Sequence, residues 1–298
     1  MKTNCRLPIV GCRLSESKDI ESSRHIRAFT LLELLTVISI LGIIAALVVP
    51  ALKNFGKADA SLTAAQQLLR DVGRARQLAI ADRTTIYMVF VPMSFWTNSN
   101  WAPWFSKLSA ADQGEVTNLC VSQLSGYNFV ADGALGDQPG NHQWHYLSSW
   151  QSLPAGNFIS PWKFAYPTQP FYFTDPANVQ DTFSINPFSY TNGIPFPSEA
   201  AATNTAQPWP SLPYIAFNYL GQLVLPPNPD QDYSGSGIDI PLDKGSVLAA
   251  ADPATKAPQF NDGQIIETPA GNSTNIQYNV VHIDPLTGRA TLLFHPVQ

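Results

Sequence analysis

An apolar run near the N-terminus constrains this chain more than any other feature. It occupies residues 29–52, with the sequence FTLLELLTVISILGIIAALVVPAL, and residues 34–52 contain no charged side chain. Those nineteen residues rise about 28 Å as an α-helix, close to the roughly 30 Å hydrocarbon thickness of a bilayer. The run therefore predicts a helix that crosses a membrane.

Residues 1–28 precede that helix as a charged leader with six basic and three acidic residues. A secretory signal ends in a small-residue cleavage site after its apolar region, whereas here the small residue, Ala28, comes before it. A lipoprotein-like box at residues 9–12 lacks the apolar region that would deliver Cys12 to a membrane, so lipidation is disfavoured. Four basic residues before the span against three after it slightly favour a cytoplasmic leader.

One carboxylate, Glu33, lies five residues into the apolar run. A charge inside a membrane helix costs on the order of 3 kcal/mol and is normally retained with a partner or a function. One interpretation places Glu33 at the membrane edge, where it reaches back to the headgroups. In the other, a cut between Ala28 and Phe29 creates an α-amine at the same depth on a neighbouring copy. The two charges then neutralise each other, which couples membrane burial to oligomerisation.

The segment Arg27-Ala28-Phe29-Thr30-Leu31-Leu32-Glu33-Leu34-Leu35, its apolar continuation and Pro50 closely resemble the prepilin-type processing segment of type IV pilins and type II secretion pseudopilins. The resemblance implies that a membrane prepilin peptidase cleaves after Ala28 and methylates the new amine of Phe29. It also implies that Glu33 recruits or registers the next subunit. The family usually has Gly at the position of Ala28; a small residue such as Ala should still fit there, and slower processing is an open alternative.

After Pro50, residues 55–82 have the spacing of an amphipathic helix. The apolar positions recur at steps of three and four residues: Leu62, Ala65, Leu68, Leu69, Val72, Ala75 and Ala79. Polar residues occupy the other angles: Lys57, Asp59, Gln66, Arg70, Asp71 and Arg74. We expect the apolar stripe to pack on a sheet.

Strand patterns follow the helix. Residues 84–91 are β-branched and aromatic, residues 214–225 predict a hairpin turning near Gly221, and strands 279–283 and 289–294 flank a turn at 284–288. The predicted fold is α+β, with a long N-terminal helix, half membrane and half amphipathic, packed on an antiparallel sheet. The predicted divisions are a cleaved leader 1–28, a membrane or filament-core helix 29–52, an amphipathic helix 53–83 and a β-rich domain 84–298.

A second, patchier resemblance lies outside the membrane segment. The sequence ARQLAIADRTTIYMVFVP, the hairpin with Gly221 and the terminal turn Asp284-Pro285-Leu286-Thr287-Gly288-Arg289 are similar to minor pseudopilins and FimT-like minor pilins. Residues 93–213 depart from that pattern as a long insertion containing all seven tryptophans. Such an aromatic segment is expected to fold, either as additional core or as a recognition face.

A possible calcium loop follows. Asp230, Asp232, Ser234 and Gly235 match the start of a D-x-D-x-S-G loop, and Asp239 lies nearby. The twelfth position, where a bidentate acid closes such a loop, is Pro241. A solvated turn is therefore an open alternative to Ca²⁺ binding.

No enzyme class is indicated, because the sequence lacks a nucleophile elbow, a phosphate-binding glycine loop and a cysteine-pair metal site. His142 and His145 are expected in a surface loop without an adjacent carboxylate, and His282 and His295 in the terminal hairpin. Cys120 would be left alone if a leader with Cys5 and Cys12 is removed.

Charge argues against nucleic acid as a partner. Residues 84–298 contain five Lys and Arg against fifteen Asp and Glu, a balance that repels phosphates.

The favoured function is a prepilin-like structural subunit, a minor pilin or pseudopilin of a type IV pilus or type II secretion-like filament. Its leader would be cytoplasmic and its globular domain would lie beyond the inner membrane, then in a periplasmic or surface filament. The alternative is a monomeric, membrane-anchored surface protein that binds a ligand through its aromatic insertion.

Overall fold

The structure, a computed structural model, describes residues 31–97, 101–134, 137, 143–165, 171–174, 182–224, 237–261, 263–274 and 279–294. The side chains of 46–60, 171–174, 182–184, 274 and 294 are not described. The α-helices in these ranges are α1 Leu31–Asp82, α2 Trp101–Phe105, α3 Ala110–Leu119 and α4 Ala201–Asn204. The strands are β1 Thr85–Phe90, β2 Gly126–Asp132, β3 Trp144–Tyr146, β4 Gln151–Ser152, β5 Asn157–Ile159, β6 Phe171–Thr174, β7 Thr182–Ile185, β8 Ser189–Thr191, β9 Leu212–Phe217, β10 Ile238–Leu248, β11 Gln264–Glu267, β12 Asn279–Ile283 and β13 Ala290–Phe294.

The chain divides into two units, Met1–Leu52 and Lys53–Gln298. In the second unit, one sheet has the strand order β3-β2-β1-β9-β8 with β4 paired to β2, and another has the order β11-β10-β12-β13 with β5 paired to β10. Strands β6 and β7 pair with each other. Every pairing between these strands is antiparallel, which confirms the predicted α+β class.

Strand β1 separates two cores because successive side chains point to opposite faces of a sheet. Ile86, Met88 and Phe90 join a core that includes Leu68 and Val72 of α1. On the other face, Val89 and Val91 join a second core built from α2, α3 and the segment around Phe196. The sheet that carries β1 is therefore covered on one face by α1 and on the other by α2 and α3.

The predicted hairpins are present. Strand β9 turns back at residues 218–222, where Gly221 has a positive φ of 76° and Leu223 bridges to Phe217. Strands β12 and β13 flank the turn 284–288, in which the Asp284 carboxylate accepts bonds from the backbone N–H groups of Leu286 and Thr287. The two turns touch, and a Cβ at Gly288, where φ is 61°, would overlap the carbonyl oxygen of Gly221.

The tryptophans between residues 93 and 213 pack inside the molecule. Trp101, Trp104 and Trp209 are buried, while Trp96, Trp144, Trp150 and Trp162 are half-buried. Phe260, from the segment between β10 and β11, packs edge-on against Trp101 with ring centroids 5.2 Å apart. This packing favours the prediction of additional core over that of a recognition face.

The structure corrects the predicted helical stripe at two positions. Ala65, Leu68, Val72, Ala75 and Ala79 are fully buried, as expected. Leu62 is instead 41% exposed, and Asp71, expected on the polar side, is 3% exposed. Asp71 is next to Val72 in the packed stripe, and its burial depends on hydrogen bonds that periodicity does not reveal.

Candidate assembly site

The described start of α1 is apolar on all sides. Every residue from 31 to 45 is exposed, and most are large: Leu31, Leu32, Leu34, Leu35, Val37, Ile38, Ile40, Leu41, Ile43 and Ile44. A helix that is hydrophobic around its whole circumference is normally buried by other protein or by lipid. This segment therefore presents a surface suited to a partner outside its own unit.

The two hydroxyl side chains of this segment turn back onto the helix. Thr36 Oγ1 donates to the carbonyl oxygen of Glu33 at 2.8 Å, and Ser39 Oγ donates to the carbonyl oxygen of Leu35 at 2.8 Å. Such bonds satisfy a hydroxyl inside an apolar environment. The carboxylate of Glu33 is consequently the charged group on an otherwise apolar helical surface over residues 31–45.

Glu33 lies in the first turn of α1, where a negative charge interacts favourably with the helix dipole. Ala28 and Phe29, the residues of the predicted cleavage and methylation, lie outside the described residues. Within the described part of the chain, no helix is long and apolar enough to span a bilayer. The membrane crossing of residues 29–52 stays a prediction.

Farther along α1, a buried carboxylate ties the helix to the sheet. Tyr127 on β2 donates its hydroxyl to Asp71 Oδ2 at 2.6 Å, and Arg70 Nε donates to Asp71 Oδ1 at 3.2 Å. Gln67 Nε2 donates to the Tyr127 hydroxyl at 2.8 Å and to the Ser152 carbonyl at 3.0 Å. Burial, followed by the bond to Asp71, raises the pKa of Tyr127. We call this contact between Asp71, Tyr127 and Gln67 the latch. The sequence did not predict it, because Asp71 and Tyr127 are 56 positions apart.

The predicted calcium ligands are only partly visible. Asp230, Asp232 and Ser234 lie outside the described residues. Asp239 lies on β10, with Oδ1 2.7 Å from Nδ1 of His282 on β12. The described residues contain no group of three or more His, Cys, Asp and Glu side chains arranged for a metal ion. Calcium binding at this loop stays a prediction.

The expectation for His145 is wrong. It lies on β3, not in a loop, and its Nε2 is 3.2 Å from Asp137 Oδ2 while its Nδ1 is 3.6 Å from Glu199 Oε2. Hydrogen bonding from the Ala134 backbone and from His145 lowers the pKa of Asp137. His142 and His295 lie outside the described residues. The sequence did not predict that Asp137 and Glu199 lie beside His145, because Glu199 reaches β3 only in the folded chain.

Three buried titratable groups play no part in the assembly segment. Cys120 is a free, buried thiol whose pKa burial raises to about 11, so it is unreactive near neutral pH. Burial lowers the pKa of Lys163 to about 7, and its Nζ donates to the Asn186 carbonyl. Burial raises the pKa of Asp243 to about 7. Each is enclosed in the packed unit.

Comparison with known proteins identifies the N-terminal segment. Residues 23–49 match the family model of the prokaryotic N-terminal methylation motif. No curated protein and no solved structure matches the chain. The matched segment includes Ala28, Phe29 and Glu33, and it supports a type IV pilin-like family, whose members are structural proteins processed by a prepilin peptidase.

Proposed function

We propose that this chain is a prepilin-like structural subunit, a minor pilin or pseudopilin of a type IV pilus or type II secretion-like filament. It is inserted in the inner membrane with its leader in the cytoplasm, cleaved after Ala28, methylated on Phe29 and assembled through its N-terminal helix. The observation that carries this proposal is the match of residues 23–49 to the methylation motif.

The surface of α1 supports assembly through the helix. Residues 31–45 expose leucine, isoleucine and valine on every side, and leaving such side chains in water would cost about 1.5–3 kcal/mol each. Lipid covers this surface before assembly, and neighbouring helices cover it in a filament. The long helix then has two functions. Residues 31–52 form the core that neighbouring subunits share in the filament, and residues 61–82 attach the helix to the β-rich domain.

Glu33 gives this apolar contact a register. Cleavage after Ala28 leaves a positively charged amine on Phe29, four positions before Glu33. An ion pair between this amine on one copy and the Glu33 carboxylate on the next forms only when the helices are correctly staggered. Removing one partner from a buried pair costs about 3–5 kcal/mol, enough to reject misaligned subunits.

Mass spectrometry of the native N-terminus tests the proposal. The expected result is a chain beginning at an N-methylated Phe29, recovered from a filament fraction. A chain that keeps Met1 and stays monomeric in the membrane would contradict the proposal. It would favour the alternative function, a membrane-anchored surface protein that binds a ligand. No observation favours that second function, since the seven tryptophans are buried or half-buried.

A further inference from the structure

A buried carboxylate without a counter-charge lies in the middle of β10. Asp243 is 0% exposed, and neither of its carboxylate oxygens has a hydrogen bond of ordinary geometry among the residues that the structure describes. The ion pairs found among those residues do not include Asp243. The buried Lys163 donates its Nζ to the Asn186 carbonyl instead. Buried charges in proteins are paired or coordinate a metal ion, so an ionised Asp243 requires a positively charged partner.

A second carboxylate, Glu267 of β11, lies on the same face of the sheet. Glu267 is opposite Gly245 of β10, and residues opposite each other in an antiparallel pair point to one face. Asp243 is two residues before Gly245 and points to that face too. Both Glu267 oxygens accept bonds from Ser273, Oε1 from the hydroxyl at 2.6 Å and Oε2 from the backbone N–H at 3.4 Å. Two negative charges therefore lie side by side, and one of them is held in place.

Ser160 and Asn272 add buried polar atoms on this face. Ser160, which is 0% exposed, comes two residues after Phe158, the residue opposite Asp243, and its backbone N–H bonds to β10 at 3.2 Å. The short 3₁₀ turn Asn272–Thr274 also contacts β10. Within the described part of the chain, Ser160 Oγ and Asn272 Nδ2 have no hydrogen-bond partner. A carboxylate, a hydroxyl and an amide thus share one enclosed polar site.

We propose that Asp243, Glu267 and Ser160 bind a calcium ion between β5, β10 and β11. The charge of the two carboxylates balances that of Ca²⁺, and their oxygens and the hydroxyl oxygen are ligands that a hard cation prefers. Carbonyl and water oxygens complete its six to eight ligands. Mg²⁺ loses its water reluctantly and therefore fits an enclosed site less well.

This site is separate from the calcium loop that the sequence predicts at Asp230, Asp232, Ser234 and Asp239, since Asp239 is paired with His282. It is also independent of the proposed function, because all of its residues belong to the unit Lys53–Gln298. The bound ion links β5, β10 and β11, so it stabilises the folded unit. A proton competes with Ca²⁺ for the carboxylate, and the affinity therefore rises with pH.

Calcium titration of the full-length chain in detergent, after treatment with a chelator, tests the site. Calorimetry should give a Kd of about 0.1–1 mM, the range of weak calcium modules. Calcium at about ten times Kd should raise Tm by about 3–6 °C. Asp243→Asn and Glu267→Gln, which keep the side-chain size, should each weaken binding at least about tenfold because each removes a charged ligand. Glu115→Gln on α3 is the matched control and should bind as the unaltered chain does.

Folding of the variants is checked in chelator, where Asp243→Asn should be at least as stable as the unaltered chain because it buries no charge. The proposal is overturned if calcium neither binds nor raises Tm, or if both variants bind as before. An equal rise in Tm with NaCl at matched ionic strength overturns it as well. Binding that is lost in the double variant Asp230→Asn, Asp232→Asn but kept in Asp243→Asn places the ion in the predicted loop and contradicts this site. A methylated Phe29 beside any of these results leaves the proposed function intact.

Discussion

Residues 31–45 and residues 61–82 of α1 are both helical, but they differ in how many of their side chains are buried. Residues 31–45 expose every side chain. Residues 61–82 bury one stripe, in which Ala64, Ala65, Leu68, Val72, Ala75 and Ala79 are fully covered by their own unit. The first stretch has the all-round apolar surface of a helix that other protein or lipid normally covers, whereas the second packs on the sheet beneath it.

The two stretches also treat polar groups differently. In the first, Thr36 and Ser39 bond to the backbone of their own helix, so neither hydroxyl is directed at a partner. In the second, Asp71 reaches across to Tyr127, which fixes the helix at one position on the sheet.

The largest expected effect follows from removing the charge of the first stretch. We expect Glu33→Val to reduce filament incorporation by at least about a hundredfold, because losing one partner of a buried pair costs about 3–5 kcal/mol, while leaving the folded domain unchanged. The ratio of filament to membrane-bound protein, measured by immunoblotting, provides the test. Thr36→Val, which alters the same turn without touching a charge, should incorporate normally. Equal incorporation of both variants would remove Glu33 from the assembly step.

A second prediction contrasts Asp71, which has hydrogen-bond partners, with Asp243, which has none of ordinary geometry among the residues that the structure describes. Neither carboxylate oxygen of Asp243 has a hydrogen bond of ordinary geometry within the described residues, although nearby Ser160 partly offsets the effect of burial on its pKa. Burial raises the pKa of Asp243 from an ordinary 3.8 to about 7. The unfolded chain thus releases this proton first as the pH rises.

Stability should consequently fall as the pH rises from about 4 to about 7, by about 4 kcal/mol from this group. Asp243→Asn removes the titrating proton, so its free energy of unfolding should depend less on pH across that window. Urea unfolding of both proteins at several pH values measures the difference. Parallel pH profiles would show that Asp243 is ionised in the folded protein.

Local patterns in the sequence predicted several elements well. The β-branched residues at 84–91 became β1 Thr85–Phe90, and the Pro–Gly turn at 284–288 lies between β12 and β13. These patterns are short-range, because a turn residue acts through its own backbone. The same holds for the motif around Glu33, which is continuous in sequence.

The sequence did not predict features that depend on residues far apart in the chain. Asp112 accepts a bond from Ser198, 86 positions later in the chain, only because a loop brings Ser198 to α3. Strand β10, 11 residues long, contains Pro241, Asp243 and Gly245, which obscure its periodicity. Asp71 looked like a surface residue because hydrophobic periodicity does not distinguish a buried, hydrogen-bonded carboxylate from a solvated one.

A matched pair of truncations compares the two stretches directly. Leu68→Ala in the buried stripe should cost about 3 kcal/mol of unfolding free energy, the typical penalty for an emptied core position. Ile38→Ala, in the exposed stretch, should leave the domain stability within about 0.5 kcal/mol. Chemical denaturation in detergent gives both values. A large loss for Ile38→Ala would mean that residues 31–45 pack on the domain.

The smallest effect concerns the latch itself. Tyr127→Phe removes the hydroxyl that donates to Asp71 Oδ2 and accepts from Gln67 Nε2, while it keeps the buried ring. We expect a loss of about 1–2 kcal/mol, since Asp71 retains Arg70 and Gln67 retains the Ser152 carbonyl. Asp71→Ala combined with Tyr127→Phe should cost less than the two separate losses added together, because the partners share one bond. Strict additivity in this double-mutant cycle would show that the hydroxyl and the carboxylate stabilise the helix independently, and that the second stretch is held by its apolar stripe alone.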